Sequence, residues 1–265
     1  MGRALAGNDA SEAEGQQRQR PGPKAGGWGA KPPNRLHRRN AIQHATASGS
    51  LDTGAVREEP QRIDGRLEAT LRVPDVDPAA IVVIAHALPT HGGTMRTPIM
   101  AAIARACAAR GWYALRFNFR GVGESAGTWS GGRDEPDDLA AAVAHARAVG
   151  RGLPLALVGY SFGAFAVLAY LARGGRAEAV ALVGIGTKDV NFAPRKLPLI
   201  PPGTFIVAAE HDQFGTPDEL RAIVPDARIA VVKGVDHFFV GKRDEVGELV
   251  ADELARTLPV PSHLP

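Results

Sequence analysis

Cysteine is almost missing from this chain of 265 residues: Cys107 is the single one. That excludes an internal disulfide, and without a Cys/His cluster at ligand spacing no zinc site is expected. Long hydrophobic runs are missing as well. No stretch reaches the roughly 18 apolar residues that span a bilayer. The opening MGRALAGNDASEAEG lacks the apolar stretch of a secretory signal, and no hydrophobic region follows Arg38-Arg39. These absences lead us to expect a cytoplasmic protein with no membrane partner. Cys107 itself lies in TPIMAAIARACAARG, whose apolar residues fall at helical spacing. It reads as a small buried thiol rather than a reactive one.

A basic surface is also lacking, although the pI near 9.2 suggests one. The chain has 31 Lys+Arg and 28 Asp+Glu; nine of the former and six of the latter precede residue 61, which leaves 22 of each beyond it. The whole positive excess thus belongs to the N-terminal tail, and no nucleic-acid partner is expected. Residues 1–60, rich in Gly, Pro, Gln, Arg and Ala, show no sustained apolar period. Such a segment buries too little surface to offset its ordering entropy, so a disordered tail is expected there. The 45% hydrophobic composition of the whole chain is ordinary for a protein with a substantial core.

From residue 61 the texture changes. GRLEATLRVP alternates as a half-exposed strand does, and IVVIAHA is a continuous apolar run typical of a strand covered on both faces. MAAIARACAARG reads as a helix ending at Gly111, WYALRFNF as a strand, and DEPDDLAAAVAHARAVG as a helix with acids in its first turn. LPLALVG, AVALVGIG, TFIVAAEHD and RIAVVKGV read as further strands, and FGAFAVLAYLARGG, TPDELRAIV and RDEVGELVADELARTL as the helices between and after them. This alternation predicts an α/β domain over 61–265 with a mostly parallel sheet and helices on both faces. Active-site residues then belong on loops at the carboxyl ends of the strands. The stretch between the strands near 179–186 and 203–209 holds Pro194, Pro198, Pro201 and Pro202. It is too short for a separate lid domain.

The residues that carry chemistry begin with Gly159-Tyr160-Ser161-Phe162-Gly163. A buried strand precedes this stretch and a helix follows, which is the setting of a nucleophile elbow. The turn strains the serine backbone and presses neighbouring backbones together, so side chains at 159 and 163 would collide. A serine needs an adjacent base that is itself oriented by a third group. Asp212, in AAEHDQF, and His237, in KGVDHFF, follow successive strands in the chain order Ser, acid, His. Glu210, His211 and Asp236 are near neighbours open to either role, although Asp236 reads as a turn cap. His86, His91 and His145 read as structural or exposed. A developing oxyanion needs donors: the backbone N–H of Phe162 is one, and the loop after the strand at 81–86 supplies the other. Pro89 has no N–H, so Leu88 is the first candidate and Ala87 the second. Trp129 and Phe214 are candidate pocket walls. Gly121-Val122-Gly123-Glu124-Ser125 lacks the third glycine and later acid of a dinucleotide fingerprint.

Taken together, IAHALPTHGGTM, RFNFRGVGESAG, DEPDDLAAAVAHAR, VGYSFGA, AAEHDQF and GVDHFF resemble the α/β-hydrolase superfamily. The likeness is to its compact lidless members related to dienelactone hydrolase and small serine esterases. The resemblance implies hydrolysis of an ester-type bond of a small acyl substrate through an acyl-enzyme, with no metal or cofactor. Thioesterase or acyltransferase chemistry uses the same three residues, and a non-catalytic binding protein on this fold is the remaining alternative. Two departures stand out: the first loop reads His86-Ala87-Leu88-Pro89 where the group has His-Pro-His-Pro, and Ser161 stands where dienelactone hydrolase has cysteine.

Overall fold

A computed structural model describes residues 57–191, 193 and 196–262; of the tail expected over residues 1–60, residues 1–56 lie outside them. Among the described residues eight strands form one sheet, in the order β1-β2-β4-β3-β5-β6-β7-β8. They are β1 (Glu58–Ile63), β2 (Leu67–Arg72), β3 (Ala80–Ala85), β4 (Trp112–Phe117), β5 (Leu155–Tyr160), β6 (Ala179–Val183), β7 (Phe205–Ala209) and β8 (Arg228–Val232). β1 and β2 are antiparallel to each other, and β2 is antiparallel to β4. Every other pairing is parallel.

The folded body starts earlier than composition implies. Glu58, Glu59 and Pro60, whose texture is that of the tail, pair with Arg72, Leu71 and Thr70 as an edge strand. Polar residues suit an edge, where one side faces water and proline loses no central ladder bond. Ion pairs from Arg72 and Arg116 to Glu58, at 3.1 and 2.6 Å, fasten this edge to the strands beside it.

Helices α1 (Pro98–Ala109) and α5 (Arg243–Leu254) cover one face of the sheet; α2 (Glu135–Val149) and α3 (Phe162–Ala172) cover the other, with α4 (Pro217–Ile223) beside β8. β3 shows why its sequence has no polar alternation. Ile81, Val83 and Ala85 enter the core under α2 and α3, while Ala80, Val82 and Ile84 enter the core under α1 and α5. A strand buried on both faces needs apolar residues at every position. Cys107 sits in the second core, where burial pushes its thiol up to about 12. Gly111 ends α1 with φ +76°, as its place after the helix implies.

Among the described residues no separate lid domain is inserted between the end of β6 at Val183 and the start of β7 at Phe205. No helix among the described residues is long and apolar enough to cross a membrane. The Gly121–Ser125 turn is a structural brace. Glu124 N–H donates to Glu68 Oε2 at 2.9 Å, Ser125 Oγ links Asn118 O to Glu68 N–H, and a Cβ at Gly123 would meet Glu68 Oε2 at 2.4 Å.

Candidate active site

The carboxyl ends of β3, β5, β7 and β8 converge on one cavity of about 240 Å³. Ser161 lies between β5 and α3 with φ 53° and ψ −112°. A positive φ at a non-glycine residue is strained and persists where its surroundings hold it. Two contacts show the holding. Ser161 N–H donates to Val183 O at 2.8 Å, and Ala164 N–H donates to Ser161 O at 3.0 Å. The flanking glycines are required by space alone. A Cβ at Gly159 would stand 2.5 Å from Gly163 O, and one at Gly163 would stand 2.1 Å from Ala85 O.

Ser161, His237 and Asp212 form one chain of hydrogen bonds. His237 Nε2 is 2.9 Å from Ser161 Oγ, and His237 Nδ1 is 2.9 Å from Asp212 Oδ2 and 3.1 Å from Oδ1. Asp212 is a carboxylate acceptor, so it selects the tautomer with the proton on Nδ1. Nε2 is then left as the acceptor facing the serine hydroxyl. Asp212 is 1% exposed and His237 5%, and both have further support. Phe214 N–H donates to Asp212 Oδ1 at 2.9 Å, and His237 N–H donates to Gln213 Oε1 at 3.3 Å.

The imidazole is boxed by rings. Tyr160 stacks on it at 5.7 Å, and Phe214 and Phe238 meet it edge-on at 4.8 and 5.7 Å. Tyr160 hydroxyl donates to His237 O at 3.1 Å. Burial, with the nearby Asp212 charge, raises the Tyr160 pKa and keeps the phenol a neutral donor. Sequence reading misses Tyr160 and Phe238 as site residues, although each adjoins a residue it names.

Phe162, Leu88 and Ala87 line the cavity with Ser161 and His237. Phe162 is the first residue of α3, whose N–H has no carbonyl a turn earlier to bond. The remaining wall includes Gly186, Lys188, Val190, Phe214, Phe238 and Arg243. Lys188 is paired with Glu219 at 2.7 Å, which ties this wall to α4 and holds the Glu219 carboxyl below its usual range.

Trp129 does not line this cavity. It packs edge-on against Phe162 at 4.9 Å and faces a separate cleft with Arg66, Arg120 and Ser130. Its loop turns away because Ser130 is captured by the buried Glu135, at 2.8 Å through N–H and 2.6 Å through Oγ. The neighbours of the central residues also separate. Glu210 Oε2 accepts from Gly234 N–H at 2.8 Å, and Asp236 Oδ1 accepts from Phe238 N–H at 3.0 Å, capping its turn. His211 is exposed beside Glu210, and His145 lies on α2, 3.2 Å from Gln61 Oε1. His91 reaches the cavity wall and bonds Thr90 Oγ1 at 3.0 Å. No group of three or more His, Cys, Asp or Glu among the described residues could hold a metal ion.

The family model described as serine aminopeptidase, S33, matches residues 76–228, more than half of the chain. The chain belongs to that family. An α/β serine hydrolase homologue from Coxiella burnetii is similar at 27% identity and TM-score 0.66, covering 75% of this chain and 97% of its own. A lidless α/β serine hydrolase from Xanthomonas campestris is similar at 25% identity and TM-score 0.67, covering 78% and 98%. An uncharacterized protein of Rickettsia prowazekii is 26% identical over 209 residues, covering 72% of this chain and 85% of its own. The two solved structures are α/β serine hydrolases, the second of them lidless, and the dienelactone-hydrolase-like resemblance holds.

Proposed function

We propose that this serine hydrolase cleaves an ester-type bond of a small acyl substrate through an acyl-enzyme. The observation that carries the reading is the unbroken chain Ser161 Oγ–His237 Nε2 and His237 Nδ1–Asp212, at 2.9 Å on each side of the ring. Ser161 Oγ attacks the carbonyl carbon while His237 Nε2 takes its proton. Asp212 keeps the ring in the right tautomer and stabilises the imidazolium. The negative charge that develops on the carbonyl oxygen is met by the Phe162 and Leu88 amides, and one such donor is worth about 10²–10³ in kcat. Collapse expels the alcohol oxygen, which receives the proton from His237. Water, deprotonated in turn by His237, attacks the acyl carbon, and the acid leaves with Ser161 restored.

The cavity favours an acyl ester over an amino-terminal peptide. An aminopeptidase site needs carboxylates to hold an ammonium. Here the lining carboxylate outside the central three is Asp189, whose Oδ1 accepts from Asn191 and Ala193 N–H groups at 2.8 and 3.1 Å. The lining also brings Arg243, whose charge repels an ammonium. The test is hydrolysis of p-nitrophenyl esters of graded chain length by the parent and by Ser161→Ala, with a fluorophosphonate label as second readout. The parent turns over the short esters and takes the label; Ser161→Ala does neither. An active, labelled Ser161→Ala overturns the reading. Adding alcohol or thiol acceptors to the parent reaction separates hydrolysis from acyl transfer in the same assay.

A further inference from the structure

His86 stands at the end of β3, fully buried, with backbone partners on both ring nitrogens. Phe119 N–H donates to Nε2 at 3.1 Å, and Nδ1 lies 2.7 Å from Ala87 O. An amide N–H can only donate, so Nε2 is the acceptor nitrogen and the ring proton is on Nδ1. That proton is given to the Ala87 carbonyl. Burial keeps the ring neutral by lowering its pKa to about 4.

A trans peptide unit is planar, and its C=O and N–H point in opposite directions. Tying the Ala87 carbonyl to His86 therefore fixes where the Leu88 N–H points, and both residues border the cavity beside Ser161. The loop is clamped from its other side as well. Leu88 O accepts from His91 and Gly93 N–H groups at 3.1 and 3.0 Å, and a Cβ at Gly93 would stand 2.0 Å from Ala87 O. The second donor leans on the same support. The His86 ring meets Phe119 edge-on at 4.8 Å, and Phe119 meets the Phe162 ring at 5.4 Å.

We infer that His86 is a positioning residue for the oxyanion site: its Nδ1–H bond to the Ala87 carbonyl aims the Leu88 amide at the oxygen that becomes charged. The inference rests on the acyl-transfer reading above and adds to it a residue outside the Ser161–His237–Asp212 chain. A buried histidine that only satisfies nearby backbone groups supports the fold without affecting that oxygen. Two isosteric variants separate the roles. In His86→Asn the carboxamide nitrogen takes the place of Nδ1 and keeps the donor to Ala87. In His86→Gln the carboxamide reaches the place of Nε2, keeping a partner for Phe119 N–H but losing the donor to Ala87.

The experiment compares kcat and KM for a short p-nitrophenyl ester and for its thionoester, whose sulfur makes poor use of oxyanion donors. His86→Gln is expected to lose about 10²-fold in kcat with the ester while KM changes little. Its preference for ester over thionoester falls in parallel, and His86→Asn keeps most of both. Parental kcat in His86→Gln overturns the inference. So do equal losses in the two variants that fall equally on ester and thionoester. If either variant folds poorly by circular dichroism and melting, the Leu88 amide resonance of the parent decides instead. That resonance moves downfield when a trifluoromethyl ketone adds to Ser161, and an unmoved one overturns the inference. An active Ser161→Ala sinks the underlying reading, whereas an inactive Ser161→Ala with an unaffected His86→Gln sinks this inference alone.

Discussion

Two buried histidines follow the carboxyl ends of two strands, and they differ in what they touch. His86, after β3, bonds only backbone groups, Phe119 N–H and Ala87 O. His237, after β8, bonds only side chains through its ring, Ser161 and Asp212. A ring held between an amide and a carbonyl has one proton in one place, and moving it costs a backbone hydrogen bond. A ring held between a hydroxyl and a carboxylate can gain a second proton and be stabilised by the carboxylate. The first is suited to fixing geometry, the second to carrying a proton. Residue type alone does not distinguish them; the partners do.

The sharpest way to break this contrast is at His237. His237→Ala, like Ser161→Ala, is expected to lower kcat for ester hydrolysis by about 10⁴–10⁶-fold, because the serine loses its base. Asp212→Asn comes next, with a loss of about 10³–10⁴-fold, since the amide permits the wrong tautomer. Steady-state kinetics on purified variants checks both, and a loss under tenfold in any of these three contradicts the assigned roles.

Stability gives a second test of the His86 ring. A histidine with a pKa of about 4 in the native state and 6.5 in the unfolded chain binds its proton more readily when unfolded. The sign follows: its contribution is fully present above pH 6.5 and is lost as pH falls toward 4, amounting to roughly 3 kcal/mol. Urea unfolding at pH 7 and pH 4.5 should show this slope, and His86→Asn should reduce it. A slope unchanged by that substitution shows that the acid sensitivity has another source.

Gly163→Ala tests the packing between the turn after β5 and the end of β3. Its Cβ would lie 2.1 Å from Ala85 O and 2.9 Å from His86 O. Overpacking of this kind costs about 1–3 kcal/mol, and the shift moves both Phe162 and the loop after β3. A lower melting temperature with reduced kcat is expected; a normal melt with normal activity contradicts the close approach. The smallest effect belongs to Cys107. A thiol pushed up to about 12 and fully buried should not react with iodoacetamide at pH 8 in the native protein. Mass spectrometry of native and urea-unfolded samples checks this.

Much of the site is legible in the sequence because its residues sit where pattern changes. Ser161 interrupts an apolar strand between two glycines, and Asp212 and His237 follow runs too apolar for anything but buried strands. Strand β1 is not legible. Charged Glu58 and Glu59 next to Pro60 look like tail, and only the register against β2 makes them an edge strand. Trp129 misleads as a pocket wall because Glu135 captures Ser130 and sets the direction of the loop. His86 carries no sequence signal for its geometry. Its partners are its own neighbour and a residue 33 positions away, and the orientation of one peptide plane cannot be read from composition or spacing.

The absence of a Cβ at Gly163 has a practical consequence for redesign. The segments bearing Ser161 and Leu88 rest on each other with no side chain between them, so a substitution there disturbs both at once. Val190, Phe214 and Phe238 also line the cavity, from three separate loops. Variants that accept larger or differently shaped acyl groups should therefore accumulate at these three positions, while the floor beneath the serine stays unchanged.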